Sequence, residues 1–442
     1  MSVDGGWCGL MSCHQGFSLG GDEGGAVPAD RRILVVLVVT QILSGVGVAI
    51  GVTTSGVATL RLAESEALAG LAQATTLLGA ALIALPLGRM ATRRGRRWSL
   101  STGYGVGTLG AVVAALAVGV GSWPLLVGAM LLLGAGTAAN FAARYAVVDP
   151  GGTASPGSGG RRLSVMVFAT AGGVVVGPNL AVLGENAAAA GGLPSDAGPF
   201  LLVAVTFALA GLGVLRWLRP DSLPAGVRPL PEGGGQGSGG VRVSSRPRAA
   251  DWVVELRRLP TEGLLALGAV VAAHGAMTAM MTMTPVHLYH GGASLSGVGA
   301  VLSSHFLGMY AFSPLFGWLV DRHGAVPVLG LGAAMLVAGV GLSGMAPDHE
   351  APQLAAGLTV LGMGWSALLV SASLALTQAT RREFRPLLQG LSDTMMNMSG
   401  VVGAVVAGLV VSAASFAMLG VLVGIATLPL LVTAVVVSLR HT

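Results

Sequence analysis

Gly88-Arg-Met-Ala-Thr-Arg-Arg-Gly95 recurs in diverged form as Gly317-Trp-Leu-Val-Asp-Arg-His-Gly324. The two stretches share the spacing Gly-x-x-x-x-Arg-x-Gly. Each follows an apolar segment long enough to cross a bilayer, and another such segment follows it. A loop that appears twice, at matching places in two halves of a chain, indicates an internal duplication. The pattern therefore predicts a membrane protein built from two related halves.

The composition supports this prediction. Of the 442 residues, 53% are hydrophobic and 10% are charged, and the mean hydropathy is +0.77, whereas a soluble domain carries about 25% charged residues. A spanning helix needs ~20 apolar residues, and barrel strands would alternate over ~10 residues, which these segments do not. We therefore expect an all-α membrane protein with twelve transmembrane helices in two six-helix bundles. The predicted spans are 33–57, 67–87, 99–120, 123–147, 163–184, 199–218, 263–288, 295–319, 325–346, 353–377, 387–411 and 415–438.

The arginines predict the orientation in the membrane. The chain has no lysine, and its arginines gather in the loops on one side, whereas the opposite loops hold Arg61 and otherwise acids such as Glu64 and Asp196. The positive-inside rule then places both termini in the cytoplasm of a multi-pass protein of the cell membrane. Because topology accounts for the basic charge and the chain has no soluble basic domain, no nucleic-acid partner is expected.

Two polar segments frame the predicted bundles. Residues 1–30 are Gly-rich and predict a disordered cytoplasmic tail without the apolar core of a signal peptide. Its Cys8 and Cys13 suit either a metal-handing tail or a loose one. Residues 219–260, rich in Pro, Gly, Ser and Arg, predict a flexible cytoplasmic linker. This linker separates an N-terminal bundle, 31–218, from a C-terminal bundle, 261–442.

Parallel repeats joined in this way are the architecture of the major facilitator superfamily, and the chain resembles that superfamily from about residue 31 to 438. The resemblance implies a cytoplasmic gate in which glycines let helices approach and arginines bind helix ends and acids. The gate residues are Gly88, Arg93, Gly95, Arg96, Arg97, Gly317, Asp321, Arg322 and Gly324. Thr92 stands where the superfamily has an aspartate, so the first-half latch is expected to be weaker or to borrow an acid, for which Asp149 is a candidate.

Span 5 contains a second superfamily pattern, Gly173-Val-Val-Val-Gly177-Pro178-Asn179. It resembles the Gly-x-x-x-Gly-Pro signature of the superfamily's antiporters, in which small residues allow close packing and proline can kink the helix. The usual trailing glycines are replaced, and the span-4 arginine of the family is absent near Met130. The pattern therefore suggests antiport without establishing it.

Ionisable residues at membrane depth are costly and usually functional. Asp393, Arg144 and His274 are the candidates for proton coupling or for charge in a central cavity. Asp393 could carry a proton or could pair with an arginine and hold the gate. Arg144 could bind an anionic group or pair with Asp393, and we favour the pair.

Spans 7 and 8 carry a sharper pattern. Met277 and Met281 are four residues apart and share a helix face, as do His305 and Met309 on the next, antiparallel helix. At 1.5 Å per residue, Met277 and His305 each lie ~15 Å below the outer surface, so they could meet near mid-membrane. Thioethers and imidazole suit Cu(I). The pairing resembles the copper-importing branch of the superfamily, which supplies copper for cytochrome oxidase assembly and uses Met-x-x-x-Met and His-x-x-x-Met motifs.

The same residues fit a second interpretation. Methionine is also a flexible apolar filler that suits promiscuous binding surfaces, and His305 could be a packing or a proton-carrying histidine. A methionine-lined cavity would then serve a drug/proton antiporter that exports small amphipathic molecules. The sequence leaves cargo and direction open.

We therefore predict a secondary transporter that works by alternating access, most simply driven by protons, and that acts as a monomer. Its partners are a small-molecule or metal-ion cargo, protons and the lipid bilayer. The chain has no Gly-x-x-x-x-Gly-Lys-[Ser/Thr] phosphate loop and no serine or cysteine nucleophile motif. We accordingly expect neither enzymatic activity nor a bound cofactor.

Overall fold

The computed structural model describes residues 26–64, 66–147, 159–218, 251–292 and 295–439. Most of the predicted tail with Cys8 and Cys13, the linker residues 219–250 and the candidate acid Asp149 lie outside the described residues. The first helix begins at Ala26, within the last residues of the predicted tail.

The described residues form helices and no strand. In the N-terminal half these are α1 (Ala26–Ala63), α2 (Glu66–Arg94), α3 (Arg96–Gly119), α4 (Trp123–Ala143) with a 3-10 turn (Arg144–Val147), α5 (Gly159–Ala190) and α6 (Ala197–Trp217). In the C-terminal half they are α7 (Asp251–Arg258), α8 (Thr261–His290), α9 (Leu295–Ala311), α10 (Ser313–His323), α11 (Ala325–Gly344), α12 (Ala351–Ala379), α13 (Arg385–Ala413) and α14 (Phe416–Leu439).

Within the described ranges, eleven helical segments are long and apolar enough to cross a membrane, and α5 contains the remaining predicted span, 163–184. The expected all-α fold of two helical bundles is confirmed. The span predicted at 295–319 differs in detail, because it is divided into α9 and α10 at Phe312. Pro314 lies in the first turn of α10, where its missing N–H breaks the helical hydrogen-bond ladder.

Matching close contacts in the two halves support the duplication. A Cβ atom on Gly110 of α3 would lie 2.4 Å from the amide nitrogen of Leu133 on α4, and one on Gly339 of α11 would lie 2.4 Å from that of Leu361 on α12. The same number of residues separates Gly110 from Gly339 as separates Gly88 from Gly317. Glycines thus let helix backbones touch at equivalent places, as small residues do in membrane bundles.

The halves meet mainly along two helix pairs, α2 with α13 and α5 with α10. A Cβ on Gly88 would lie 2.5 Å from the carbonyl oxygen of Pro386, and one on Gly317 would lie 2.6 Å from that of Gly160. These contacts place the loop that follows α2 beside the start of α13 and the loop that follows α10 beside the start of α5. The two repeated loops therefore lie at the same end of the bundle as the α4–α5 and α12–α13 connections. We call the end that carries residues 93–97 and 322–324 the arginine-rich end.

The last part of the predicted linker is ordered. Residues 251–258, expected to be flexible, form α7, whose Glu255 is buried and paired with the guanidinium of Arg381 in the loop between α12 and α13. The hydrogen bonds to Glu255 raise the pKa of Arg381 above its ordinary value. The described end of the linker is thus attached to the C-terminal half.

The glycine contacts between the halves can be tested with Gly88→Val. The added side chain meets the backbone of Pro386 and Gly390, and overpacking of ~1–3 kcal/mol should shift the equilibrium between the closed and open arginine-rich end toward the open form by roughly 5- to 150-fold. Spin labels at the exposed positions Arg94 and Arg382, with Cys8 and Cys13 replaced by serine, would report the distance between the halves.

Gly105→Val is the matched control, since a Cβ on Gly105 of α3 meets nothing within 4 Å. It adds the same β-branched side chain to a helix without touching the other half. An unchanged label distance in Gly88→Val would contradict the assigned role of the contact.

Candidate functional site

Asp321 joins the halves at the arginine-rich end. Its two carboxylate oxygens accept hydrogen bonds from the backbone N–H groups of Gly160, at 2.7 Å, and Arg161, at 2.8 Å. These groups lie in the first turn of α5, where N–H groups lack partners within the helix and a negative charge is favoured. Asp321 of the C-terminal half therefore caps a helix of the N-terminal half.

The equivalent contact of the N-terminal half is built differently. Thr92 donates to the carbonyl of Gly88 in its own helix, at 3.0 Å, and not to α13. Pro386, which contacts Gly88 as Gly160 contacts Gly317, has no N–H to offer a carboxylate. The contact of the N-terminal half thus lacks both the aspartate, replaced by Thr92, and one backbone N–H group that could donate to it, because Pro386 has none. Arg96 instead donates to the amide oxygen of Gln389 on α13, at 2.5 Å.

The other predicted gate residues shape or flank these contacts. Gly95 and Gly324 have nearly the same backbone angles, φ 91°, ψ 165° and φ 87°, ψ 168°, a region open essentially to glycine alone. They turn the chain sharply between α2 and α3 and between α10 and α11. Arg97 donates to the carbonyl of Leu215 in its own half, at 2.6 Å. Arg93 and Arg322 are exposed, and the latter stacks on Trp318.

Deeper in the interface, Arg144 and Asp393 form a fully buried ion pair, with 2.7 Å between Nη2 and Oδ1. Arg144 also donates to the hydroxyls of Ser373, at 3.1 Å, and Tyr145, at 3.0 Å. The pair therefore ties α4 to α12 and α13. A buried pair is retained only when such additional hydrogen bonds offset the cost of desolvation. The contact favoured from the sequence is present, and its functional role is a separate matter.

A small cleft adjoins the Asp393 carboxylate on the side of α2 and α3. Its polar lining comes from Arg96, Ser99, Tyr145, Gln389 and Asp393, and the glycines of the α2–α13 contact complete it. The cleft lies between the ion pair and the arginine-rich end. On the side that faces the arginine-rich end, the cleft therefore surrounds the Asp393 carboxylate with polar groups.

Near mid-membrane, four aromatic rings meet around the boundary between the halves. His274 of α8 is buried, and its Nδ1 accepts a hydrogen bond from the indole N–H of Trp365 on α12, at 3.3 Å. Phe141 of α4 meets the His274 ring edge-on, with centroids 6.2 Å apart, and Tyr310 of α9 meets Trp365 in the same way at 6.0 Å. We call Phe141, His274, Tyr310 and Trp365 the aromatic layer.

The predicted metal-binding residues lie in the C-terminal half. His305 is buried, and its Nδ1–H donates to the carbonyl of Leu358 on α12, at 2.7 Å. Its Nε2 has no hydrogen-bond partner among the described residues. Met309 follows on the same face, and a Cβ on Gly362 of α12 would lie 2.9 Å from its amide nitrogen. Both residues therefore lie against α12.

On α8, Met277 is buried and Met281 is partly buried. The proposed approach of Met277 to His305 stays a prediction. Within the described ranges there is no group of three or more His, Cys, Asp or Glu side chains arranged to hold a metal ion.

The antiporter-like pattern packs within one half. A Cβ on Gly173 of α5 would lie 2.4 Å from the carbonyl of Ile42 on α1, and one on Gly177 would lie 2.7 Å from the Cβ of Ala49. The side chains of Pro178 and Asn179 lie outside the described residues. The described glycines of this pattern thus hold α5 against α1.

Sequence reasoning missed a polar network in the N-terminal half. Gln41 of α1 donates to Thr170 on α5, at 2.9 Å, and to the carbonyl of Asn140 on α4, at 3.2 Å. Asn140 in turn donates to Ser44, at 2.7 Å, and Tyr104 donates to the same hydroxyl at 3.3 Å. An amide side chain within the apolar first span was the available signal. The network holds α4, and with it Phe141, in place.

These features define a class of protein. Two helical bundles share a polar and aromatic layer near mid-membrane, and the hydrogen bonds that join them cluster at one end. This arrangement is typical of a multi-pass membrane transporter built from two related bundles.

The family follows from comparison with known proteins. The sequence profile of the Major Facilitator Superfamily matches residues 37–293 and again 265–441. The chain belongs to this superfamily and is a secondary transporter of its kind, which moves small-molecule cargo.

Similar proteins span nearly the whole chain. The uncharacterized MFS-type transporter YdeG of Bacillus subtilis is 35% identical over 404 residues, which cover 91% of this chain and 90% of YdeG. The riboflavin transporter RfnT of Brucella anthropi is 28% identical over 377 residues, 83% of this chain and 86% of RfnT. The crystal structure of the superfamily transporter FucP in the outward conformation has a TM-score of 0.69 at 16% identity and covers 91% of this chain and 97% of FucP.

The two gate positions give a paired test. Asp321→Ala removes a charged cap from α5, which should cost ~1–2 kcal/mol of closure at the arginine-rich end and shift the opening equilibrium by about five- to thirtyfold. Thr92→Ala removes only a bond within its own helix and should leave the equilibrium within about twofold. The same spin-label distance measures both. Equal effects of the two variants would show that Asp321 does not latch the halves.

Proposed function

We propose that the protein is a proton-coupled transporter of small organic molecules that contain a flat aromatic ring. It works as a monomer in the cell membrane, with both termini in the cytoplasm. The observation that carries the proposal is the aromatic layer. Phe141 comes from one half and His274, Tyr310 and Trp365 come from the other, so a flat molecule bound there would contact both bundles. The riboflavin transporter among the similar proteins supports an aromatic cargo.

Alternating access follows from where the contacts lie. The Asp321 cap, the Arg96–Gln389 bond and the Arg144–Asp393 pair close the arginine-rich end, which the positive-inside rule places in the cytoplasm. With this end closed, alternating access requires that the layer be reached from the opposite side of the membrane. A ligand that binds both bundles shifts the equilibrium only by its differential affinity for the two conformations.

Proton coupling is assigned to Asp393. Its carboxylate faces Arg144 from the turn after α4, Tyr145 beside it, and the cleft with Arg96 and Gln389. A proton on Asp393 removes the charge that holds Arg144, and so weakens a bond that closes the arginine-rich end. A proton would reach Asp393 through the small cleft beside it once the arginine-rich end opens. The Gly173–Gly177 pattern favours exchange of the cargo against protons, hence export when the outside is acidic.

Cu(I) is a second candidate cargo, favoured by one observation. His305 is buried with Nδ1 held by a carbonyl and Nε2 without a partner among the described residues, and Met309 lies one turn away. Imidazole oriented by a second hydrogen bond is the usual arrangement of a metal ligand, and thioether sulfur suits Cu(I).

The coupling test uses Asp393→Asn in proteoliposomes that contain a pH-sensitive dye. Riboflavin, ethidium and Hoechst 33342 serve as fluorescent probes. The wild-type protein should move at least one probe against its gradient at the expense of a pH difference. The variant should exchange that probe between the two sides but lose the pH-driven component, because its side chain no longer carries a proton.

Breaking one half of a buried pair costs ~3–5 kcal/mol, so the double variant Arg144→Gln/Asp393→Asn controls for misfolding. It should fold more stably than Asp393→Asn, measured by thermal denaturation, and should still lack pH-driven transport. Retention of pH-driven transport in the double variant would remove Asp393 from the coupling.

The copper candidate is tested by Cu(I) titration of the purified protein under reducing conditions. If Cu(I) is cargo, His305→Gln and Met309→Leu should each weaken binding by at least about tenfold, because each removes one of very few ligands. His349→Gln is the control, since His349 is exposed in a loop. Cu(I) binding that is unaffected by both variants, or absent from the wild type, would exclude this cargo.

A further inference from the structure

The described end of the linker carries a buried acid. Glu255 of α7 is only 4% exposed, and Leu256 beside it packs against the hydrophobic core of the C-terminal half. A buried carboxylate is costly unless a cation and hydrogen bonds compensate for its desolvation. An acid held in this way, in a segment that joins the two bundles, indicates a role beyond connection.

Arg381 supplies the compensation from the loop between α12 and α13. Its Nε donates to both carboxylate oxygens of Glu255, at 3.1 Å each, and its Nη2 donates to one of them. Such two-point contacts are strong and fix the orientation of both groups. Arg381 also pairs with Glu383, at 3.2 Å, and its Cζ lies 4.6 Å from the ring centroid of Phe384. The guanidinium is thus held between α7 and the loop that leads into α13.

This loop positions the first turn of α13. The N–H of Phe384 donates to the carbonyl of Arg381, at 2.9 Å, and the carbonyl of Phe384 accepts from the N–H of Leu388, at 3.0 Å. Two residues after Phe384, the carbonyl oxygen of Pro386 lies 2.5 Å from where a Cβ on Gly88 would be. Contacts therefore run without interruption from α7, through Arg381 and Phe384, to the backbone contact between the halves.

This series of contacts matters more in the closed conformation than in the open one. Closure needs the backbone of Pro386 at a fixed place, because even a methyl group on Gly88 would overlap it. The open conformation separates the two backbones and tolerates a loose loop. Conformational freedom gained by the loop is then available mainly to the open form, and such a difference shifts an equilibrium between two conformations.

We propose that Glu255 is a positioning residue for the gate. Acting through Arg381, it fixes the start of α13 and so favours closure of the arginine-rich end. The end of the linker then takes part in setting the balance between the two conformations. The inference concerns opening alone, and it holds whatever the cargo and the driving ion are.

The test is Glu255→Gln in the full-length protein, which keeps the shape of the side chain but removes its charge and one acceptor oxygen. Spin labels at the exposed positions Arg94 and His323, with Cys8 and Cys13 replaced by serine, report the distance between the halves. Both labelled positions lie outside the altered loop. Without cargo or a pH gradient, the variant should shift the equilibrium toward the open form by about three- to tenfold, since it weakens a charge-assisted contact.

Two further variants show whether Glu255 acts through Arg381. Arg381→Lys keeps the charge but loses the two-point geometry, and it should shift the equilibrium in the same direction. The double variant Glu255→Gln/Arg381→Lys should stay within about twofold of Glu255→Gln, because both changes break one contact. Glu383→Gln is the matched control. It makes the same charge change beside the same arginine but leaves the bond to α7, so it should shift the equilibrium by less than about twofold.

Thermal denaturation of each variant separates positioning from simple stabilisation. A residue that only stabilised the fold would lower the melting temperature and leave the label distances unchanged. Arg381→Lys keeps the test decisive where Glu255→Gln fails to fold, because its charge still compensates the buried carboxylate.

Three results would overturn the inference: unchanged distances in both single variants, an equal shift in Glu383→Gln, or fully additive shifts in the double variant. The distance measurements need no cargo, so these results would leave the proposed function standing. Conversely, absence of pH-driven transport of every probe would count against the proposed function and would leave the role of Glu255 intact.

Discussion

Backbone contact between the two halves at the arginine-rich end determines which side of the aromatic layer is closed. Gly88 lies against Pro386, and Gly317 lies against Gly160, at distances that no side chain would allow. Because the helices touch backbone to backbone, the short bonds of Asp321 and Arg96 reach across the interface. The ion pair deeper inside is sealed from water by the same contact. Separation of the glycines would release all three together.

A transporter cannot make this closure too stable. A two-state protein keeps both conformations accessible only when they differ by a few kcal/mol. Two of the polar bonds described at the arginine-rich end fit this requirement, because one joins two neutral backbone amides to a carboxylate and the other ends on the amide Gln389. The substitution of Thr92 for aspartate and of Pro386 for an N–H-bearing residue removes a second charged cap. The two contacts are therefore built differently, with a carboxylate cap between α10 and α5 and a guanidinium–amide hydrogen bond between α2 and α13.

The sequence predicted the fold well, because membrane helices are recognised by length and apolarity alone. The Arg144–Asp393 contact that the sequence favoured is present, since buried charges in a membrane require partners, whereas the gating role of the glycines stays a prediction. The sequence did not predict α7, whose order depends on Glu255 meeting Arg381 from a distant loop, nor the break at Phe312. The Trp365–His274 bond was missed for the same reason, because no local pattern links two residues on separate helices. The four-residue spacing of Met277 and Met281, by contrast, shows only that they share one face of α8. It does not show that this face meets the His305 face of α9.

The aromatic layer and the proposed proton carrier are linked through α4. Phe141 belongs to α4 and meets His274 of the other half, and Arg144 directly after α4 pairs with Asp393 on α13. A cargo that stacks against Phe141 therefore acts on one of the two helices that the ion pair joins. Movement of α4 relative to the C-terminal half would therefore change the cargo contacts and the ion pair in one step. Coupling between cargo and proton then needs no long chain of intermediates, because both ligands bias the position of α4.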